Sequence, residues 1–161
     1  MKKTVIKALS VVLAVTLTFT AAPLSGYLGV ELPDWLDFSI ESSAATASGT
    51  FSENLTWKFD TSTDTLTISG TGDMYDYQGN TAPWQDYKPS IKKVVISDGV
   101  TSIGESAFTA CKNLESVTIG NDVTEIGLNA FNSCENLKTV VMGDSVETIG
   151  EQAFFYCESL T

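Results

Sequence analysis

The 161-residue chain contains no histidine and no arginine. Lack of histidine removes the commonest general base and metal ligand, so neither Ser-His-Asp or Cys-His catalysis nor a His-containing zinc site can be built from this chain alone. Lack of arginine removes the bidentate clamp for phosphate and carboxylate. Positive charge is scarce altogether: nine lysines stand against 20 Asp and Glu, for a net charge of −11. Proteins that bind nucleic acid gather cations where this chain carries a repulsive field, so nucleic acid is excluded as a partner. Proline (four) and cysteine (three) are few as well. A hydrophobic content of 43% with 10% aromatics is that of a folded protein, not of an acidic disordered tail.

Long apolar runs are also missing, apart from one at the start. Met1-Lys2-Lys3-Thr4-Val5-Ile6-Lys7 is basic, and Ala8 to Ala22 is nearly uncharged and rich in Val, Leu, Ala and Thr. This is the layout of a secretory signal, and at about 15 residues the run is short for a spanning helix. A cut after Ala22 would place Pro23 beside the scissile bond. Ala45-Thr46-Ala47, ahead of Ser48, is the better small-x-small match, so residues 1–47 are expected to be signal and leader. The expectation is an exported chain with no membrane span after cleavage. Residues 48–161 keep a net charge of about −10, which serves solubility and argues for a monomer.

What the sequence has in abundance is self-similarity at a period of 23 residues. One unit, 91–113, carries Ile91, Val94, Ile96, Val100, Ile103, Gly104, Ala107, Phe108 and Cys111. The next, 114–136, carries Leu114, Val117, Ile119, Val123, Ile126, Gly127, Ala130, Phe131 and Cys134. The third, 137–159, carries Leu137, Val140, Met142, Val146, Ile149, Gly150, Ala153, Phe154 and Cys157. A fourth begins at Leu160-Thr161. The second and third units share ten identities in 23, almost all at apolar residues or Gly.

A fixed period of this size around an apolar L-x-x-V-x-I core marks a leucine-rich-repeat solenoid. Val117 and Ile119 alternate with Ser116, Thr118 and Gly120, so one face of a short strand points inward. Each unit is expected to supply one such strand, stacked in parallel about 4.8 Å from the next, with irregular or 3-10 convex segments closing the coil. No single coil buries its apolar columns, so stability comes from stacking between neighbours. The recurrent Gly104, Gly127 and Gly150 call for a tight bend, a positive φ or a close approach of the next coil.

The pattern L-x-x-V-x-I-x-x-x-V-x-x-I-G-x-x-A-F-x-x-C over residues 91–161 resembles the BspA-like leucine-rich repeats of bacterial surface and secreted proteins. Gly99, Asp122 or Ser145 at the ninth position, followed by Val at the tenth, separates it from the familiar eukaryotic repeat. Where the family's proline is expected after the strand, this chain has Ser97, Gly120 and Gly143, which should loosen the turn without changing the fold. The resemblance implies a non-enzymatic, cofactor-free module at the cell surface, possessing adhesive or protein- or glycan-binding character. The rival is a spacer or targeting module of a longer enzyme or wall-anchored protein. Because the chain stops two residues into a fourth unit, further sequence beyond Thr161 is expected.

Residues 48–90 read as an N-terminal β-hairpin cap: Leu55–Phe59 and Thr65–Ser69 alternate around the turn residues 60–64. Met74 to Tyr87, rich in Tyr and Trp, should pack over the first coil. In repeat register Trp84, Gln85 and Lys88 fall in the Ala, Phe and Cys columns. The fold expected is thus a mainly β repeat solenoid with a hairpin cap.

Candidate sites are few. Cys111, Cys134 and Cys157 form one interior column and read as buried thiols acting as small hydrophobes, with a single disulfide or a reactive thiol as alternatives. The acid pairs Asp60/Asp64 and Asp73/Asp76 sit in turn contexts where Asp serves the backbone, and neither they nor Gly70-Thr71-Gly72 match a calcium, acid–base or dinucleotide motif. No catalytic, metal or cofactor residue is assigned. The expected working surface is the outward strand face, Lys93, Val95, Ser116, Thr118, Thr139 and Val141.

Overall fold

The computed structural model describes residues 46–78 and 81–161; the predicted signal and leader up to residue 45 lie outside them. Among the described residues ten strands form two sheets. β1 (Thr46–Thr50), β2 (Leu55–Asp60) and β3 (Thr65–Gly70) form an antiparallel cap. From β3 onward the pairing turns parallel through β5 (Lys93–Ile96), β7 (Ser116–Ile119) and β9 (Thr139–Val141), completing a six-stranded sheet. A second sheet stacks β4 (Gly72–Asp73), β6 (Val100–Ile103), β8 (Glu125–Ile126) and β10 (Thr148–Ile149), also in parallel. Among the described residues no helix is long and apolar enough to cross a membrane.

The fold is the repeat solenoid that the periodicity implies, with one correction. Each coil supplies two strands, not one. The second was hidden because Val100 and Ile103 are three residues apart and therefore break the two-residue alternation that marks a strand, a break the sheet absorbs as a register shift between β4 and β6. A further strand, β1, precedes the expected hairpin and includes Thr46 and Ala47, which pair with Asp60 and Phe59.

The interior follows the columns. Val94, Val117, Ile103, Ile126, Phe108 and Phe131 are all sealed from solvent. Trp84, Phe108, Phe131 and Phe154 form a stacked aromatic ladder with ring separations of 5.3, 5.1 and 5.3 Å. Here the register expected for the cap needs a correction. Trp84, not Gln85, takes the place of the phenyl column. The coil that begins in β3 is longer than the others: Leu66 pairs with Val94, 28 residues on, whereas Val94 pairs with Val117.

The recurrent glycines are explained by close approach. A Cβ on Gly127 would sit 2.7 Å from the Glu105 amide nitrogen and 2.8 Å from the Ile103 carbonyl, so the neighbouring coil's backbone occupies the space a side chain would need. The left-handed backbone lies elsewhere, at Ser106 and Ala110, Asn129 and Ser133, and Gln152 and Tyr156, two per coil with φ between 55° and 60°. Four of these residues, Ser106, Ala110, Asn129 and Ser133, donate their own amides to the next coil.

Candidate functional site

The outward side chains of the six-stranded sheet lie in straight rows because the parallel strands pair without slippage. One row runs Ser48, Lys58, Thr67, Val95, Thr118, Val141. A second runs Thr46, Asp60, Thr65, Lys93, Ser116, Thr139. The six residues assigned to this surface from sequence therefore occupy adjacent positions on β5, β7 and β9. Lys93, Thr139 and Val141 are exposed, and Val95, Ser116 and Thr118 are half-buried by their neighbours. The face also continues onto β2 and β3, which sequence reasoning left out of the surface. Alternation in 55–59 already turned Thr56 and Lys58 outward; the missing fact was that β3 runs on in parallel with β5.

At the junction of cap and coils, Lys58, Asp60, Thr63, Thr65, Thr67 and Lys93 line a depression of about 450 Å³. Its charges are set by partners outside it. Asp60 Oδ1 accepts from the Ser62 amide at 2.9 Å and from the Ser62 hydroxyl at 2.6 Å, and these bonds hold its carboxyl below the usual carboxylate range. Asp64 pairs with Lys92 at 2.7 Å, an ion pair that raises the lysine. Lys112 pairs with Glu135 and Lys138 with Glu115. Lys58 and Lys93 make no ion pair among the described residues.

The remaining candidates serve the fold. Asp73 accepts from the Thr101 hydroxyl at 2.6 Å and Asp76 from the Glu105 amide at 2.8 Å, so both acids tie the cap to the first coil. The cysteine column contains free thiols. Cys134 Sγ donates to the Phe108 carbonyl at 3.3 Å and Cys157 Sγ to the Phe131 carbonyl at 3.2 Å. Burial pushes the Cys111 thiol up to about 12. Cys134 is also pushed up, first by its hydrogen bond to Cys157 and then by burial, whereas that same bond lowers Cys157 to about 7. Cys111 and Cys134 are closed to solvent and Cys157 is partly open.

Stacked parallel strands, a repeated aromatic ladder and an unbroken outward face define a leucine-rich-repeat protein. Residues 86–161 match the family described as BspA type leucine rich repeat region (6 copies). Among solved structures, the chain is similar to a leucine-rich repeat protein from Eubacterium ventriosum, with 33% identity and a TM-score of 0.61 over 66% of this chain and 28% of that one. A leucine rich cell surface protein from Faecalibacterium prausnitzii matches at 20% identity and a TM-score of 0.30, over 71% of this chain and 53% of that one. The chain thus spans only part of either protein. No curated protein matches it.

Proposed function

We propose that the chain is an exported, cell-surface interaction module that binds an extracellular protein or glycan through the outward face of the six-stranded sheet, without catalysis. The carrying observation is the pair of aligned rows that run over all six strands, from Thr46 to Thr139 and from Ser48 to Val141. In the first two coils the Leu, Val, Ile, Ala, Phe and Cys columns turn inward to hold the coils together, which leaves the outward rows free to meet a partner. The basic start and apolar run at residues 1–22 support export, and the high net negative charge supports a soluble, monomeric state.

The test is a binding measurement on full-length chain against immobilised matrix proteins and glycans, with Thr118→Lys and Val141→Asp as face variants. Saturable binding that both variants weaken supports the reading. No saturable partner overturns it in favour of a passive spacer, and binding that neither variant alters moves recognition to another surface.

A further inference from the structure

The depression at the junction of cap and coils has a chemistry that the rest of the molecule lacks. Residues 48–161 carry a net charge of about −10, yet two of their few lysines line one shallow site and make no ion pair among the described residues. Of the two nearby acids Asp64 is paired with Lys92, and Asp60, held by Ser62, is the one carboxylate in the depression, so the two lysines leave it one positive charge in excess. Lys58 stands opposite Thr67 across β2 and β3, and Lys93 opposite Thr65 across β3 and β5, so the ammonium groups flank β3 from either side. Two strand spacings and a two-residue offset along the strand separate them, roughly 12 Å at the backbone, which long flexible side chains can close onto a single anion.

Between the lysines lie the side chains of Thr63, Thr65 and Thr67, together with the Asp60 carboxylate. Hydroxyls both donate and accept, and Asp60 accepts only. No apolar side chain lines the depression, and the strand backbones beneath it are already paired on both sides, so it offers a peptide neither a hydrophobic pocket nor a free strand edge.

From this we infer that the depression binds an acidic saccharide: the anionic group, a carboxylate or a sulfate ester, sits between Lys58 and Lys93, and the sugar hydroxyls meet Thr65, Thr67 and Asp60. The inference rests on the sheet-face reading above and narrows it to one site and one ligand class. The long-range field of the protein opposes an anion, so the site should select short, singly charged units over highly charged polymers.

The test is calorimetric titration of the full chain with three probes: galacturonate and galactose 6-sulfate, each with one anionic group, and neutral galactose. Binding of one or both acidic probes but not the neutral one is expected, and which of them binds identifies the anionic group. Lys58→Gln and Lys93→Gln should each weaken binding about tenfold, the worth of one charge-assisted contact. Lys58→Arg should retain most of it. Lys112→Gln removes the same charge at a lysine outside the depression and should leave binding unchanged. Equal binding of the neutral probe, indifference to Lys58→Gln and Lys93→Gln, or no binding of either acidic probe overturns the inference. The sheet-face reading is judged separately by Thr118→Lys and Val141→Asp, so it can survive any of these results.

Discussion

The indole N–H of Trp84 donates to the carbonyl of Ala107 at 3.0 Å while its ring stacks on Phe108. One coil later the Ala130 carbonyl accepts from the main-chain amide of Phe108, and after that the Ala153 carbonyl from Phe131, each at 2.8 Å. A cap side chain thus fills the place that main chain fills between coils. The same substitution occurs once more, where the buried Lys88 ammonium donates to the Thr109 carbonyl at 3.1 Å, while the Glu105 carbonyl accepts from a main-chain amide of the cap, that of Tyr77, at 2.8 Å. The aromatic stretch therefore ends the repeat by satisfying the first coil's carbonyls. Trp84→Ala should cost about 3–5 kcal/mol by opening a cavity, and Trp84→Phe about 1–3 by leaving a buried carbonyl unpaired. Urea unfolding measures both; a Trp84→Phe protein as stable as the parent would show that the hydrogen bond contributes nothing.

Gly127 meets backbone, not a movable side chain, on its Cβ side. Gly127→Ala should therefore push two coils apart and destabilise the fold by about 1–3 kcal/mol, as overpacking does. An unchanged unfolding midpoint would mean the coils separate freely at this column.

Much of this was legible in the residues. Columns such as Val117, Ile126 and Phe131 announce the solenoid because each is apolar for an interior reason repeated in every coil. Trp84 was misplaced by one position because fixed-period counting fails across a coil of different length. The outward face was readable on β5, β7 and β9, where Val95 and Thr118 alternate with buried neighbours. Its lysine-lined end was not. Lys58 and Lys93 come together only through parallel pairing of β3 with β5, a relationship that no local pattern encodes. The left-handed positions were equally silent, since Ala110 and Tyr156 carry none of the usual Gly or Asn signal.

Ala110 is exposed and held at φ 60°. An L residue with a Cβ is strained there, and Gly is not. Ala110→Gly should raise stability by up to about 1 kcal/mol, the left-handed strain outweighing the entropy that Gly loses on folding. A lower thermal midpoint would refute this balance.

The cysteine column makes a prediction ordered by depth. Cys157 is partly open and its thiol is lowered to about 7, so native protein should alkylate there first, with a rate that rises through pH 7 and levels off above it. Cys111, pushed up to about 12 and fully buried, should react only when the protein unfolds, and Cys134 should behave likewise. Mass spectrometry of iodoacetamide-treated protein at several pH values distinguishes the three. Equal labelling under native conditions contradicts the column's burial.

The third coil repeats the donors of the first two but not their partners. Ser106, Phe108 and Ala110 give their amides to the second coil, and Asn129, Phe131 and Ser133 give theirs to the third. The corresponding amides of Gln152, Phe154 and Tyr156 have no such acceptor among the described residues. The apolar columns change in step: Ile126 is fully buried, whereas Ile149, one coil on, is 52% exposed. Appending a copy of residues 116–136 after Thr161 completes a fourth coil in register and presents carbonyls to all three amides. Nearest-neighbour stacking then predicts a more stable array, by about 1 kcal/mol or roughly 4–8 °C in Tm, and a larger urea m-value because more surface is buried. The same extension carrying Phe→Ala at its ladder position should lose most of that gain, since Phe154 would have no ring to stack on. If the added coil enlarges the m-value but leaves the unfolding free energy in water and the Tm unchanged, the end of the third coil is self-sufficient and its open amides contribute nothing to stacking.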